Sequence, residues 1–358
     1  MEHPDTILAM GNLAVTYSRM GKYTEAEKLE IQVLDARKRI FGVEHPDTIL
    51  AMANLASTYD DLGKYIEAEQ WGIQVLDARK RIIGVEHPDT IRAMGNIAVT
   101  YRSLGKYTEA EKLQIQVLDA MQRILGGEHP DTIVAMGNLA ATYSSMEKYT
   151  EAEKLEIQVL DARKRILGVE HPGTILAMAN LASSYRDLGK YTEAKTLEIE
   201  VLDARKRIFG AEHPGTIRAM ENLASSYSQL GKYTEAETLK IEVLDARKRI
   251  LGAEHPDTIL AMGNLASSYR DLGKHTEAET LQIQVLDASK RLLGVEHPDT
   301  VLAMANLASS YSDLGKYTEA ETLEIEVLDA RKRILGVEHL LQTLFSLLRI
   351  YRQTLTHS

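Results

Sequence analysis

Cysteine is absent from this chain of 358 residues, which excludes a disulfide framework and any thiolate metal site. Proline is nearly absent: its eight copies all belong to one tripeptide, Glu-His-Pro. Aromatic residues make up 6%, and fifteen of the sixteen tyrosines stand at two recurring positions typified by Tyr17 and Tyr23. No apolar run approaches the roughly 18 residues of a membrane span. The opening residues lack the basic and apolar stretches of a signal peptide. Positive charge is in deficit: the net charge of −10 argues against nucleic acid or an anionic membrane as partner, since both require a basic face. No GxxxxGK[ST] phosphate loop occurs. The remainder, 44% apolar and 26% charged, has the balance of a soluble folded protein, and a cytoplasmic location is expected.

Repetition dominates what is present. Glu-His begins at 2, 44, 86, 128, 170, 212, 254, 296 and 338, a spacing of 42 throughout. The nine letters EHPDTILAM stand at 2–10, 44–52 and 254–262, with close variants in the other units. Self-similarity at such a period marks an array of stacked units rather than two globular domains. The predicted units are 1–43, 44–85, 86–127, 128–169, 170–211, 212–253, 254–295 and 296–337, followed by a C-terminal segment, 338–358.

Each unit reads as two helices. From Pro4 to Met20, apolar residues at Ile7, Met10, Leu13, Ala14, Tyr17 and Met20 keep a helical period. Pro4 suits the first helical position, where φ is already right and a missing N–H costs nothing. Asp5 favours the helix dipole, and Gly21 supplies a left-handed stop. The second helix is expected to start at Thr24 with a capping box to Glu27, a box that Ile66 and Lys195 break in two units, and to end at Gly42. Asp35 and Arg39, four apart, are expected to pair on its surface. Ala26, Leu29, Ile31, Val33, Leu34, Ile40 and Phe41 make this helix apolar on more than one side, so it needs neighbours on two faces. Lys28 and Glu30 are expected in solvent.

Asn12-Leu13-Ala14 followed by Tyr17, then Gly21, Tyr23 and Ala26, resembles the tetratricopeptide-repeat (TPR) pattern of large, small and aromatic positions. The longer second helix and the EHPDT linker resemble the 42-residue TPR of kinesin light chains. Runs such as MANLASTYDDLGKY (52–65) look like the TPR regions that accompany NACHT or NB-ARC modules in fungal and bacterial immune-type receptors. The resemblance covers 1–337. It implies an all-α, right-handed α-solenoid of eight helix-turn-helix units plus a C-terminal helix. It also implies a protein or peptide partner in a concave groove lined by first helices.

The groove arc of the first helix holds the positions of Leu8, Gly11, Asn12, Val15, Ser18 and Arg19. Units differ there: the Ser18 position becomes Asp60, Arg102, Arg186 and Arg270, and the Leu8 position becomes Arg92 and Arg218. One position does not vary, giving a ladder of Asn12, Asn54, Asn96, Asn138, Asn180, Asn222, Asn264 and Asn306. An amide offers donors and an acceptor, so such a ladder suits a peptide backbone whatever its side chains; fixing the stacking of units is the alternative use. The arginines suit carboxylates, which points to an extended peptide of some acidic character.

Catalysis is not expected. The histidines of the repeat lie one unit apart, and helices pack about 8–10 Å centre to centre, far beyond the ~2 Å of zinc ligation. No catalytic residue, cofactor or metal is assigned; His275 reads as a filler at a tyrosine position and Trp71 as a packing variant. In the C-terminal segment, Leu340, Leu344, Leu347, Leu348, Tyr351 and Leu355 form an apolar stripe, with Leu341 and Phe345 on its other side. Stacking of uncapped ends into homo-oligomers is one expectation; the sensor arm of a nucleotide-dependent receptor is another.

Overall fold

A computed structural model describes residues 3–334, and among them all regular structure is helical, with no strand. First helices of 16 residues alternate with second helices of 19. The first helices are α1 (Pro4–Arg19), α3 (Pro46–Asp61), α5 (Pro88–Ser103), α7 (Pro130–Ser145), α9 (Pro172–Asp187), α11 (Pro214–Gln229), α13 (Pro256–Asp271) and α15 (Pro298–Asp313). The second helices are α2 (Tyr23–Phe41), α4 (Tyr65–Ile83), α6 (Tyr107–Leu125), α8 (Tyr149–Leu167), α10 (Tyr191–Phe209), α12 (Tyr233–Leu251) and α14 (His275–Leu293), with residues 317–334 helical as well. The chain divides into two compact units, Met1–Gly189 and Lys190–Ser358. Within each, a second helix packs on its own first helix and on the next one, as α4 does on α3 and α5 and as α12 does on α11 and α13.

The joint between helix pairs shows why Glu-His-Pro-Asp-Thr recurs. The histidine is the N-cap of every first helix, its Nδ1 accepting the backbone N–H two residues on at 3.0–3.3 Å, so it fills the role an Asn or Ser usually takes. Proline then occupies the first turn. From α3 onward the threonine is fully buried, and in four junctions its hydroxyl donates back to the glycine that ends the preceding helix, as in Thr90 to Gly84 at 2.7 Å and Thr174 to Gly168 at 2.7 Å. Those glycines have φ near +85°, a backbone that side chains rarely adopt.

The core is small and repeated. Ile49, Met52, Leu55 and Ala56 of α3 are buried with Ala68, Val75 and Leu76 of α4. The alanine typified by Ala26 and Ala152 is completely buried, where a larger side chain would overfill a packed interior.

Several expectations are corrected. The second helices begin at the tyrosine position, one residue before Thr24, and their N-cap lysine makes no side-chain cap bond. The Glu27 carboxylate holds Lys64 of the next pair instead, at 2.7 and 2.8 Å, while that ammonium lies 5.5 Å from the Tyr59 ring centroid. Glu69–Lys106, Glu111–Lys148, Glu237–Lys274 and Glu279–Lys316 repeat this clamp. The arginine typified by Arg81 reaches back to Glu44 at 2.7 Å rather than to the aspartate four residues before it. The second helix has the expected neighbours on two faces, but Ile31, Ile40 and Phe41 are each about two-fifths exposed, so they form a half-covered edge between them. The apolar stripe of 338–358 lies outside the described residues.

Candidate functional site

At four places a cavity lies between successive first helices, with the second helix between them as its floor. The α1–α2–α3 cavity, of about 180 Å³, has Glu30 and Arg37 on its floor and Asn12 and Asn54 on its walls. The α3–α4–α5 cavity, of about 230 Å³, has Gly72 and Arg79 below and Asn96 on the wall. The α7–α8–α9 cavity, of about 390 Å³, has Glu156 and Arg163 below and Asn138 and Asn180 above. The α13–α14–α15 cavity, of about 360 Å³, has Ser289 below and Asn264 and Asn306 above. One construction is thus repeated with different floors.

Why the floor lies there follows from helical spacing. Ala26, Glu30, Val33 and Arg37 are separated by four, three and four residues, one stripe of a helix. Two polar residues on that stripe are held under the first helices. Glu30 is therefore not in solvent: it and its counterparts Gln114, Glu156, Glu198 and Gln282 are 2–8% exposed. Four second-helix floors meet a buried hydroxyl of the following first helix. The Ser310 hydroxyl donates to Gln282 Oε1 at 3.0 Å, Lys240 Nζ donates to Ser268 Oγ at 2.6 Å, and Glu30 and Glu156 meet Thr58 and Ser184. Burial pushes the Glu30 and Glu156 carboxyls above the ordinary carboxylate range, and the hydroxyls pull them part of the way back. Burial likewise lowers the Lys240 ammonium. Where Gly72 leaves the floor empty, a Cβ would meet Ile97 Cγ1 at 2.9 Å, and Asp60 takes the Thr100 hydroxyl at 2.7 Å.

The second floor position is a latch. Arg37, Arg79 and Arg163 donate Nη1 to the backbone carbonyl of Asp47, Asp89 and Gly173 at 2.6–2.7 Å, and Arg205 and Arg247 do the same to Gly215 and Asp257. Ser289 replaces the latch on α14, and there Leu260 and Leu302 flank an apolar cavity. Neither floor position was among the residues picked from the sequence; the signal available was their membership of the Ala26–Val33 stripe.

The asparagine ladder is placed as expected on the first helices. All eight are exposed or half-exposed, and among the described residues their amide groups have no hydrogen-bond partner in the chain. The arginines separate into classes. Arg92 is paired with Asp89 at 3.0 Å, and Arg270 with Asp313 at 2.8 Å and Ser309 at 2.6 Å. Arg186 reaches Ser183 at 3.3 Å. Arg102 is half-buried, lines the α7–α9 cavity and reaches the Asn138 carbonyl at 3.5 Å. Arg218 and Arg19 are exposed. Asp60 is turned into its bond with Thr100 rather than displayed. His275 lies 3.8 Å from Asp313, and Trp71 lies under Lys38 at 4.6 Å. Among the described residues, no group of three or more His, Asp or Glu side chains is arranged to hold a metal ion, and no helix is long and apolar enough to cross a membrane.

Three solved structures illustrate what this chain is similar to. A putative kinesin light chain of Podosopora anserina with nearly identical TPR-like repeats is 29% identical over 58% of this chain and 99% of its own, with a TM-score of 0.54. The apo form of the quorum sensor NprR from B. thuringiensis shares the fold at 17% identity, covering 89% and 86%, with a TM-score of 0.63. So does a signal-transduction ATPase with numerous domains and a TPR sensor from Pyrococcus horikoshii, at 16% identity over 92% of this chain and 50% of that one, with a TM-score of 0.61. No curated protein sequence matches the chain. The Tetratricopeptide repeat profile matches in overlapping stretches at 5–81, 61–114, 89–165, 145–207, 173–249, 219–275 and 257–333. With that profile running through nearly every helix pair described, the chain belongs to the tetratricopeptide-repeat family.

Proposed function

We propose that this chain is a non-catalytic binding array that holds an extended peptide, or an extended segment of a partner protein, along the first helices. The observation that carries this reading is the ladder of eight asparagines, solvent-reachable and without partners in the chain. An amide that stabilised unit stacking would bond to the neighbouring unit; these leave donors and acceptor available at regular intervals, as a peptide backbone requires. The cavities between first helices then receive side chains, and their floors select them. Because Arg92 and Arg270 are paired within the chain and Arg102 lines the same cavity as Glu156 and Asp187, acidic preference narrows to the neighbourhood of the exposed Arg218.

Calorimetry with peptides selected from a random library tests the proposal. Asn138→Ala with Asn180→Ala should weaken binding at least about tenfold, the equivalent of one or two hydrogen bonds, with the helical circular-dichroism spectrum unchanged. Unchanged affinity would overturn it. Arg218→Ala should weaken only peptides that carry carboxylates.

A second reading, the sensor arm of a nucleotide-dependent receptor, is favoured by the shared fold with the Pyrococcus horikoshii ATPase and its TPR sensor. A nucleotide-binding module encoded in frame beside this sequence would support it; an isolated reading frame would count against it.

A further inference from the structure

The floor of the α7–α8–α9 cavity is unlike a solvated surface. Glu156 is 8% exposed, one carboxylate oxygen faces Ser184, and Oε2 is buried with no partner among the described residues. A buried carboxylate oxygen without a donor costs free energy that a bound donor would recover. Asp187 brings a second negative charge to the same cavity. Neither arginine lining the cavity donates to Glu156 Oε2: Arg163 donates to the Gly173 carbonyl and Arg102 to the Asn138 carbonyl. Burial holds the Glu156 carboxyl above its ordinary range, Asp187 and Glu153 push it further, and only the Ser184 hydroxyl works the other way.

The chain itself shows what fits such a place. On α12, Lys240 stands at the position of Glu156. Its Nζ donates to Ser268 Oγ at 2.6 Å, and Asp271 favours its charge. Ser268 and Asp271 are the counterparts of Ser184 and Asp187, one pair on α13 and the other on α9. An ammonium is therefore accommodated beside this hydroxyl and this aspartate. In the α7–α9 cavity the hydroxyl and aspartate are kept, the cation is replaced by a second carboxylate, and the space above it is open. Val134 and Leu176, each about half-exposed, form aliphatic walls at its mouth.

We propose that the α7–α8–α9 cavity is a subsite for a lysine or arginine side chain of the bound peptide. The cation lies at Glu156 and Asp187, the aliphatic stem lies against Val134 and Leu176, and the flanking backbone is held by Asn138 and Asn180. The assignment rests on the peptide-binding reading above and adds its chemistry at one place.

The test uses displayed random dodecapeptides selected against the whole chain, with affinities of the enriched peptides measured calorimetrically. Glu156→Gln preserves shape, and glutamine already occupies the equivalent floor at Gln114 and Gln282. Enriched peptides should share a lysine or arginine. Replacing that residue by methionine, or making Glu156→Gln, should each weaken binding at least about tenfold, and both together should cost little more than either. Peptides that weaken in Asn138→Ala/Asn180→Ala but need no basic residue, or ignore Glu156→Gln, would overturn the cation subsite and leave the peptide-binding reading standing. Peptides indifferent to the asparagine changes, or no enrichment at all, would overturn both.

Discussion

Glu156 on α8 and Lys240 on α12 occupy the same place in two junctions of one array, and they carry opposite charge. Around them almost everything is held constant. Both junctions have the buried alanine of the second helix, the histidine cap, the backward-bonding threonine and the serine that meets the floor residue. What differs on the floor is one side chain and whether an ammonium already lies at the aspartate of the next first helix, while on the wall Arg218 and Glu221 stand where the other junction has Val134 and Gly137. The comparison separates two jobs that one helix pair performs. The repeated residues make the stack, since no pair buries its apolar faces alone. The floor residue sets the chemistry of the cavity above. The α13–α15 cavity extends the point: with Ser289 in place of the arginine latch and Leu260 and Leu302 at the rim, the floor turns apolar.

Substitutions sharpen this division, beginning with the largest effect. Leu139→Ala, in the constant core beside the α7–α9 cavity, should cost about 2–5 kcal/mol in urea unfolding. A cost close to zero would mean that the stack does not depend on this layer. Glu147 stands where seven units have the stop glycine, with φ of +59°. Glu147→Gly should therefore gain about 1 kcal/mol, read as a shifted urea midpoint; a loss would show that the side chain has a role of its own.

The floor should respond to pH instead. Because the Glu156 carboxyl is raised by burial, the folded chain binds more protons than the unfolded chain above the ordinary glutamate value of 4.5, so stability falls as pH rises through that window. Glu156→Gln should accordingly stabilise the protein at pH 7, and the gain should disappear below about pH 4.5, where both states are protonated. A gain independent of pH would contradict the electrostatic account. The smallest change is expected at the clamp. Lys195 stands where other units have the glutamate that holds the next lysine, so this clamp carboxylate is missing at Lys232. Lys195→Glu should give a slight stabilisation that fades in high salt; the same gain in molar salt would point to packing.

Much of the fold was legible in the letters because a 42-residue period, a proline at each first helix and a glycine at each helix end all report backbone conformation, which is local. The floor was not. Glu30 reads as a solvent residue because charged side chains are rarely buried, and only its spacing from Ala26 and Val33 reveals that it lies beneath the neighbouring helix. The clamp was missed for a related reason: Glu27 is correctly placed for a capping box, but its partner Lys64 lies 37 residues away, beyond any local pattern. The histidine cap was misjudged less in place than in agent, since Pro4 and Asp5 mark the helix start but His3 Nδ1 makes the bond. The asparagine ladder was visible as invariance within the chain; that its amides lack partners is a property of three dimensions.

The most direct measurement is nitrogen-edited magnetic resonance of the asparagine side-chain amides as a selected peptide is added. If the peptide lies along the first helices, the signals of Asn138 and Asn180 should shift, while backbone signals at the His-Pro-Asp-Thr joints stay in place. Shifts confined to the half-exposed edge of Ile31, Ile40 and Phe41, with the asparagine amides unmoved, would contradict it.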